Sequence, residues 1–174
     1  LKGEDNDWQD TPRVRYEVRD RFYDGATKFA DAWPLPNTQS LALHLHGRSR
    51  TLKPERAQNE RALTYDPNKP NTDAGRVVFT HKFETDTEIS GYIKLKLFVS
   101  TDTGDDIDLF VALRKLDRRG HEVHFPDFNH LEHGLVARGW LRVSHRELDE
   151  KRSTPHQPWL KHERALKLKP RSEE

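Results

Sequence analysis

The chain contains no cysteine and no methionine. Without cysteine there is no disulfide framework, no thiolate nucleophile and no cysteine-ligated zinc site. The same absence suits a reducing compartment, so a cytoplasmic location is the expectation. Long apolar runs are missing as well: no stretch approaches the ~18 residues of a membrane span, and no signal-peptide pattern is visible. An excess of one charge is also lacking, with 30 basic residues against 29 acidic and a formal net charge of +1. That balance argues against nucleic acid as the main partner, because phosphate binding needs a clustered cationic excess. Apolar residues are scarce at 33%. Leu, Ile, Val and Phe together make up 39 of 174 residues, just above the roughly one-fifth at which chains stay disordered. The length is about that of one domain, with little core to fill it. A start at Leu1 and a lack of methionine suggest a processed product or a piece of something longer.

What is present is a series of short alternating segments. Residues 1–12 are polar and read as a connector. Val14, Tyr16 and Val18 alternate with charged residues, the period of a half-buried strand, and Asp24-Gly25 marks a turn. Ala30 to Pro36 is too rich in proline for a helix or a central strand. The alternation predicts further strands over 40–46, near Leu63 and Tyr65, over 76–83, and most clearly over 91–100. A strand from Ile107 to Lys115 is apolar on both faces at Leu109-Phe110-Val111-Ala112-Leu113, which predicts a central position. Asp117 to Gly120 reads as a hairpin loop with a return strand over 121–125. An irregular loop over 126–139 and an extended segment over 140–144 follow. The final 28 residues hold 13 charged side chains, with room for a short helix near 159–168. Short strands joined by polar turns indicate an all-β sandwich or barrel.

Four groups of residues invite a chemical role. Ser49 lies in the only Gly-x-Ser segment, Gly47-Arg48-Ser49-Arg50-Thr51. A nucleophile elbow needs small residues on both sides of the serine so that the chain turns sharply into a helix. Thr51 stands where the second glycine belongs and no helical pattern follows, so Ser49 reads as a loop residue. His121-x-x-His124 and His130-x-x-His133 look like ligand pairs. Residues three apart on a strand face opposite sides, so the first pair should diverge, whereas the second lies in a loop with Glu132 nearby. Neither spacing matches a zinc motif, and no metal or cofactor is assigned. Asp102, Asp105, Asp106 and Asp108 offer the hard oxygen ligands that calcium takes. The order of an EF-hand loop is absent, and the expected role is capping of backbone amides between two strands. Trp33, Trp140 and Trp159 lie outside the strong strand interiors, placed to line a sugar-binding face or to pack on a partner domain. Nowhere do the residues assemble a nucleophile, base and orienter, so no catalytic residue is assigned.

Several segments in order carry a family resemblance. Ala30-Asp31-Ala32-Trp33-Pro34-Leu35-Pro36 resembles the opening of the C-terminal domain of CocE/NonD-type hydrolases, the X-Pro dipeptidyl-peptidase and cocaine esterase family. Residues 89–117 resemble that domain's central pair of strands, residues 138–149 a later segment, and Leu1-Lys2-Gly3 the end of the helix that leaves the catalytic domain. The resemblance implies a jelly-roll, galactose-binding-like β-sandwich with long loops and little helix. It divides the chain into a connector over 1–12, the sandwich over 13–170 and a tail over 171–174. It implies a non-catalytic domain packed on an upstream α/β-hydrolase domain that carries a Ser-Asp-His triad. His44, His46 and His145 do not match that triad. Trp33, Trp140, Arg142 and His145 are the candidates for interface or pocket wall. In relatives the chain continues past residues 166–170 into further strands, so the sandwich is expected to be truncated at its C-terminus. That would leave edges open to a homo-oligomer. A freestanding carbohydrate-binding sandwich is the alternative.

Overall fold

The computed structural model describes Gly3 and residues 6–59, 61–70, 72–127 and 133–170. Its regular structure is all β, apart from three single turns of 3-10 helix at Asp7–Asp10, Asp73–Gly75 and Val143–His145. The strands are β1 (Val14–Arg21), β2 (Asp24–Ala30), β3 (His44–His46), β4 (Thr51–Lys53), β5 (Asp108–Leu113), β6 (Lys115–Leu116), β7 (Glu122–Val123) and β8 (Ala137–Arg142). They pair as four antiparallel ribbons, β1-β2, β3-β4, β5-β8 and β6-β7. No described helix is long and apolar enough to cross a membrane. Two units partition the chain, one from Leu1–Leu35 with Ser90–Glu174, the other Pro36–Ile89.

In the first unit, β1 keeps the alternation read from its sequence: Val14, Tyr16 and Val18 are half-buried between exposed charged residues. The turn falls earlier than expected. Arg21 pairs with Asp24 around Phe22-Tyr23, and Tyr23 takes the left-handed conformation at φ 51°. Gly25 belongs to β2 instead, where a Cβ would stand 2.6 Å from the Val18 carbonyl oxygen. Its missing side chain serves the close approach of two strands and not a turn. Trp33 packs beside Tyr16 and Tyr92, with ring centroids 6.0 and 6.3 Å away. Within the polar connector, the Asn6 side chain caps the Asp7–Asp10 turn through the Trp8 amide at 3.0 Å.

The β6-β7 hairpin turns through Asp117 to Gly120 as expected, with the Asp117 carboxylate accepting from the Arg119 and His121 amides at 2.8 and 2.9 Å. Beyond it Phe125 and Gly134 exchange both backbone hydrogen bonds, at 3.0 and 2.8 Å. A Cβ at Gly134 would lie 2.3 Å from the Phe125 carbonyl oxygen, so only glycine fits there. Few positions are buried among the described residues: Phe125 at 6% exposure, Gly134, Val143 at 3% and Ser144 at 0%.

The charged C-terminal stretch is not a helix. Its amides reach sideways to neighbouring chain: Lys161 N to Glu147 O at 3.0 Å, Leu166 N to Ser144 O at 2.7 Å and Leu168 N to Asp105 O at 2.7 Å. Its cations do the same. Glu147 accepts from Lys161 at 2.9 Å and from Arg164 at 2.8 and 3.1 Å. Lys167 bridges Asp105 and Asp106, each at 3.3 Å. A helix would have spent those amides internally and spread the cations around its circumference, which the poor apolar spacing gave no reason to favour.

Of the expected strands, those over 91–100, near Leu63 and Tyr65, and over 76–83 form no ladder. Residues 91–100 pair with no strand among the described residues, and Ile93, Leu95, Leu97 and Phe98 are exposed. An amphipathic period specifies an extended chain with a face to bury, not which strand will lie beside it. For the same reason β5, apolar on both sides, has only β8 beside it among the described strands. In the second unit β4 was not anticipated. It pairs with β3 from Leu45↔Leu52 outward, and Thr80 alone of residues 76–83 bridges to it, at Thr51. The segments at 40–43 and 63–65 form no strand.

Truncation of Phe125 to alanine should cost about 3–5 kcal/mol in chemical unfolding, because the core has little else to collapse onto. The Arg164 guanidinium and then the Lys161 ammonium hold the Glu147 carboxyl down to about 2. The folded state therefore binds fewer protons than the unfolded chain below the usual carboxylate range, and stability falls as pH drops through that window towards 2. Thermal melts between pH 5 and 2 should show this loss, and Glu147→Gln should flatten it.

Candidate functional site

The β5-β8 ribbon presents one face to solvent. Its register sets Asp108 opposite Arg142, Phe110 opposite Trp140 and Ala112 opposite Arg138, and residues two apart on a strand share a face. Phe110 is 81% exposed and Trp140 is 70% exposed. Arg142 closes a bidentate fork on Asp108, with both nitrogens at 2.8 Å. That fork holds the Asp108 carboxyl below its usual range and the guanidinium above its own. Arg138 is ion-paired to Asp127. The face thus carries two adjacent bare aromatic rings beside guanidinium groups fixed in place.

At the C-terminal end of β8 this face runs into an open concavity of about 400 Å³, lined by Trp140, Leu141, Arg142, His145, Leu160 and His162. The 3-10 turn after β8 places His145 there, and the Leu148–Leu160 bridge brings the returning chain alongside. The rings of His145 and His162 lie 5.5 Å apart. Nδ1 of His145 is buried and has no hydrogen-bond partner among the described residues.

Of the four residues selected from sequence, three meet here: Trp140, Arg142 and His145. Trp33 belongs to the separate aromatic cluster with Tyr16 and Tyr92. The sequence reading missed Phe110, Leu160 and His162. Phe110 had a signal, since its strand is apolar on both faces and one of them must face something other than this unit's core. His162 had none, being one histidine in a charged tail. Trp159, a candidate for stacking a sugar, has the Arg152 guanidinium 3.7 Å above its ring.

The remaining candidates resolve individually. Ser49 sits in the β3-β4 turn, its hydroxyl 2.7 Å from that of Thr51. His121 lies 3.5 Å from Asp117 and does not converge with His124. The His124 ring instead faces His133, with centroids 5.2 Å apart. His130 and Glu132 lie outside the described residues. Among the described residues no three His, Asp or Glu side chains come together as a metal-ligating group.

In the acidic loop Asp105, Asp106 and Asp108 have protein donors. The Ser144 amide donates to Asp106 Oδ1 at 2.9 Å. The Ile107 amide reaches the same oxygen at 3.0 Å. Ser144 above all, with Ile107 and Lys167, holds the Asp106 carboxyl well below its usual range. Calcium titration calorimetry should therefore show no saturable heat. Asp106→Asn should lower the melting temperature by several degrees whether or not calcium is present.

The site thus belongs to an all-β domain whose β5-β8 ribbon leaves two aromatic rings exposed beside an open recess. The chain belongs to the family of X-Pro dipeptidyl-peptidase C-terminal non-catalytic domains, whose model matches residues 6–171. It is similar to two crystal structures of a CocE/NonD family hydrolase from Staphylococcus aureus. One is 53% identical over 97% of this chain with a TM-score of 0.91, and the other is 52% identical over 98% with a TM-score of 0.93. The chain spans 30% of the length of each of those solved relatives. No curated protein matches it.

Proposed function

We propose that this domain is the accessory, non-catalytic C-terminal part of a serine hydrolase of the X-Pro dipeptidyl-peptidase or acyl-esterase class. In this reading it is a jelly-roll, galactose-binding-like sandwich over residues 13–170, joined through residues 1–12 to an upstream α/β-hydrolase domain. It packs on that domain and helps wall its substrate pocket. The observation that carries the proposal is the family match together with the 30% share of the solved relatives. The exposed Phe110–Trp140 pair adds support, since two large aromatic rings side by side in water are a cost that a partner surface removes. Trp140, Arg142 and His145 are the residues proposed for the docking or pocket-wall role, with Trp33 contributing through the packing of its own cluster.

The chain alone should turn over neither nitrophenyl esters nor Xaa-Pro-nitroanilides at any pH. The longer polypeptide should hydrolyse at least one of them. Turnover by the 174-residue chain that disappears in Ser49→Ala would place the chemistry here and overturn the proposal. The exposed Trp140 beside a recess also fits a freestanding sugar-binding module. A tryptophan fluorescence shift with simple sugars, lost in Trp140→Ala, would favour that reading instead.

A further inference from the structure

We propose that the turn between β3 and β4 is a binding site for an oligophosphate group, a multiply charged anion supplied either as free inorganic oligophosphate or by a nucleotide. The site lies wholly in the second unit and does not depend on the docking reading above.

The balanced total charge conceals a local excess. Residues 46–61 hold Arg48, Arg50, Lys53, Arg56 and Arg61 against Glu55 and Glu60. Three contacts draw the four arginines to one turn. The Arg50 amide donates to the His46 carbonyl at 2.8 Å, which closes the turn around Arg48 and Ser49. Nε2 of His46 donates to the Glu55 carbonyl at 2.8 Å, so Arg56 follows directly from a residue fixed to the end of β3. A Cβ at Gly47 would lie 3.3 Å from the Arg61 carbonyl oxygen and 3.4 Å from the Arg61 Cβ. Arg61 therefore arises against the residue next to Arg48. The hydroxyls of Ser49 and Thr51, 2.7 Å apart, add neutral donors to the same turn.

All four arginines and Lys53 are exposed, and none of them has an ion pair among the described residues. Lys69 and Arg76 of the same unit are ion-paired, to Asp66 and Asp73. Guanidinium groups carry a permanent charge, so their convergence without a carboxylate is repulsive until an anion arrives. Arg50 also takes the left-handed conformation at φ 57°, which glycine adopts at less cost.

The donors select the class of ligand. A planar guanidinium fork matches two phosphate oxygens at once, and several forks suit charge spread over adjacent phosphates. A single-stranded nucleic acid would need aromatic platforms for its bases as well, and residues 46–61 contain no Phe, Tyr or Trp.

Isothermal titration calorimetry of the 174-residue chain with inorganic triphosphate, at fixed ionic strength, tests the proposal. One saturable site is expected. Arg48→Gln and Arg61→Gln should each weaken it about tenfold, the loss of one charge-assisted contact. Both replace exposed side chains that hold no other element, so the loss reads the site and not the fold. Arg13→Gln removes the same charge at an exposed position of the other unit and should leave the affinity unchanged. ATP binding as tightly as triphosphate would identify a nucleotide as the source of the group, and much weaker ATP binding would identify the free inorganic anion. The absence of a saturable site, or equal weakening by Arg13→Gln and Arg61→Gln, would overturn the proposal. So would citrate binding as tightly as triphosphate, or a short oligothymidylate binding more tightly than either.

Discussion

The Asp106 carboxylate ties together three stretches that lie far apart along the chain. It accepts from the Ile107 amide just before β5, from the Ser144 amide just after β8, and from Lys167 in the C-terminal stretch. Ser144 is fully buried and Val143 nearly so, which makes this polar junction the centre of the small core in its unit. An ionised carboxylate with this many donors is stabilised where a bare one would be expelled to water. Glu147 repeats the device one turn later with Lys161 and Arg164. With so few apolar residues to bury, the unit fixes its chain return by directed hydrogen bonds, and those bonds set the position of the recess that the return lines.

The same economy explains the bare face. Val143 and Ser144 follow β8 directly and are buried, whereas Trp140 and Arg142 one step earlier on the opposite side face solvent. The ribbon therefore has one side anchored by the Asp106 junction and one side unused within the unit. A chain poor in apolar residues does not leave a phenylalanine and a tryptophan paired in water without consequence. Their burial against a further surface would supply, from outside, the apolar contact that the composition withholds.

Much of this was legible in sequence where local rules decide. The Val14-Tyr16-Val18 alternation and the Asp117–Gly120 hairpin came out as expected, because period and turn chemistry are local. The Asp106 cap was legible for the same reason, as Asp beside a strand start accepts a nearby amide. Partnership was not. Nothing in residues 91–100 names a neighbouring strand, and nothing in the tail announces that Leu166 and Leu168 would bond to Ser144 and Asp105. Gly25 was read as a turn because glycine's freedom and its small size leave the same mark in a sequence. The site was half legible: Trp140, Arg142 and His145 stood out as a segment, while Phe110, Leu160 and His162 join them only through register and chain return.

The central claim is that this domain depends on a neighbouring surface for part of its stability. Differential scanning calorimetry of the 174-residue chain beside the longer polypeptide tests it most directly. The account predicts a broad transition of low enthalpy for the chain, and for the longer polypeptide a single sharp transition at higher temperature that includes this domain. A sharp two-state melt of the isolated chain, at the temperature at which the domain melts within the longer polypeptide, would contradict it.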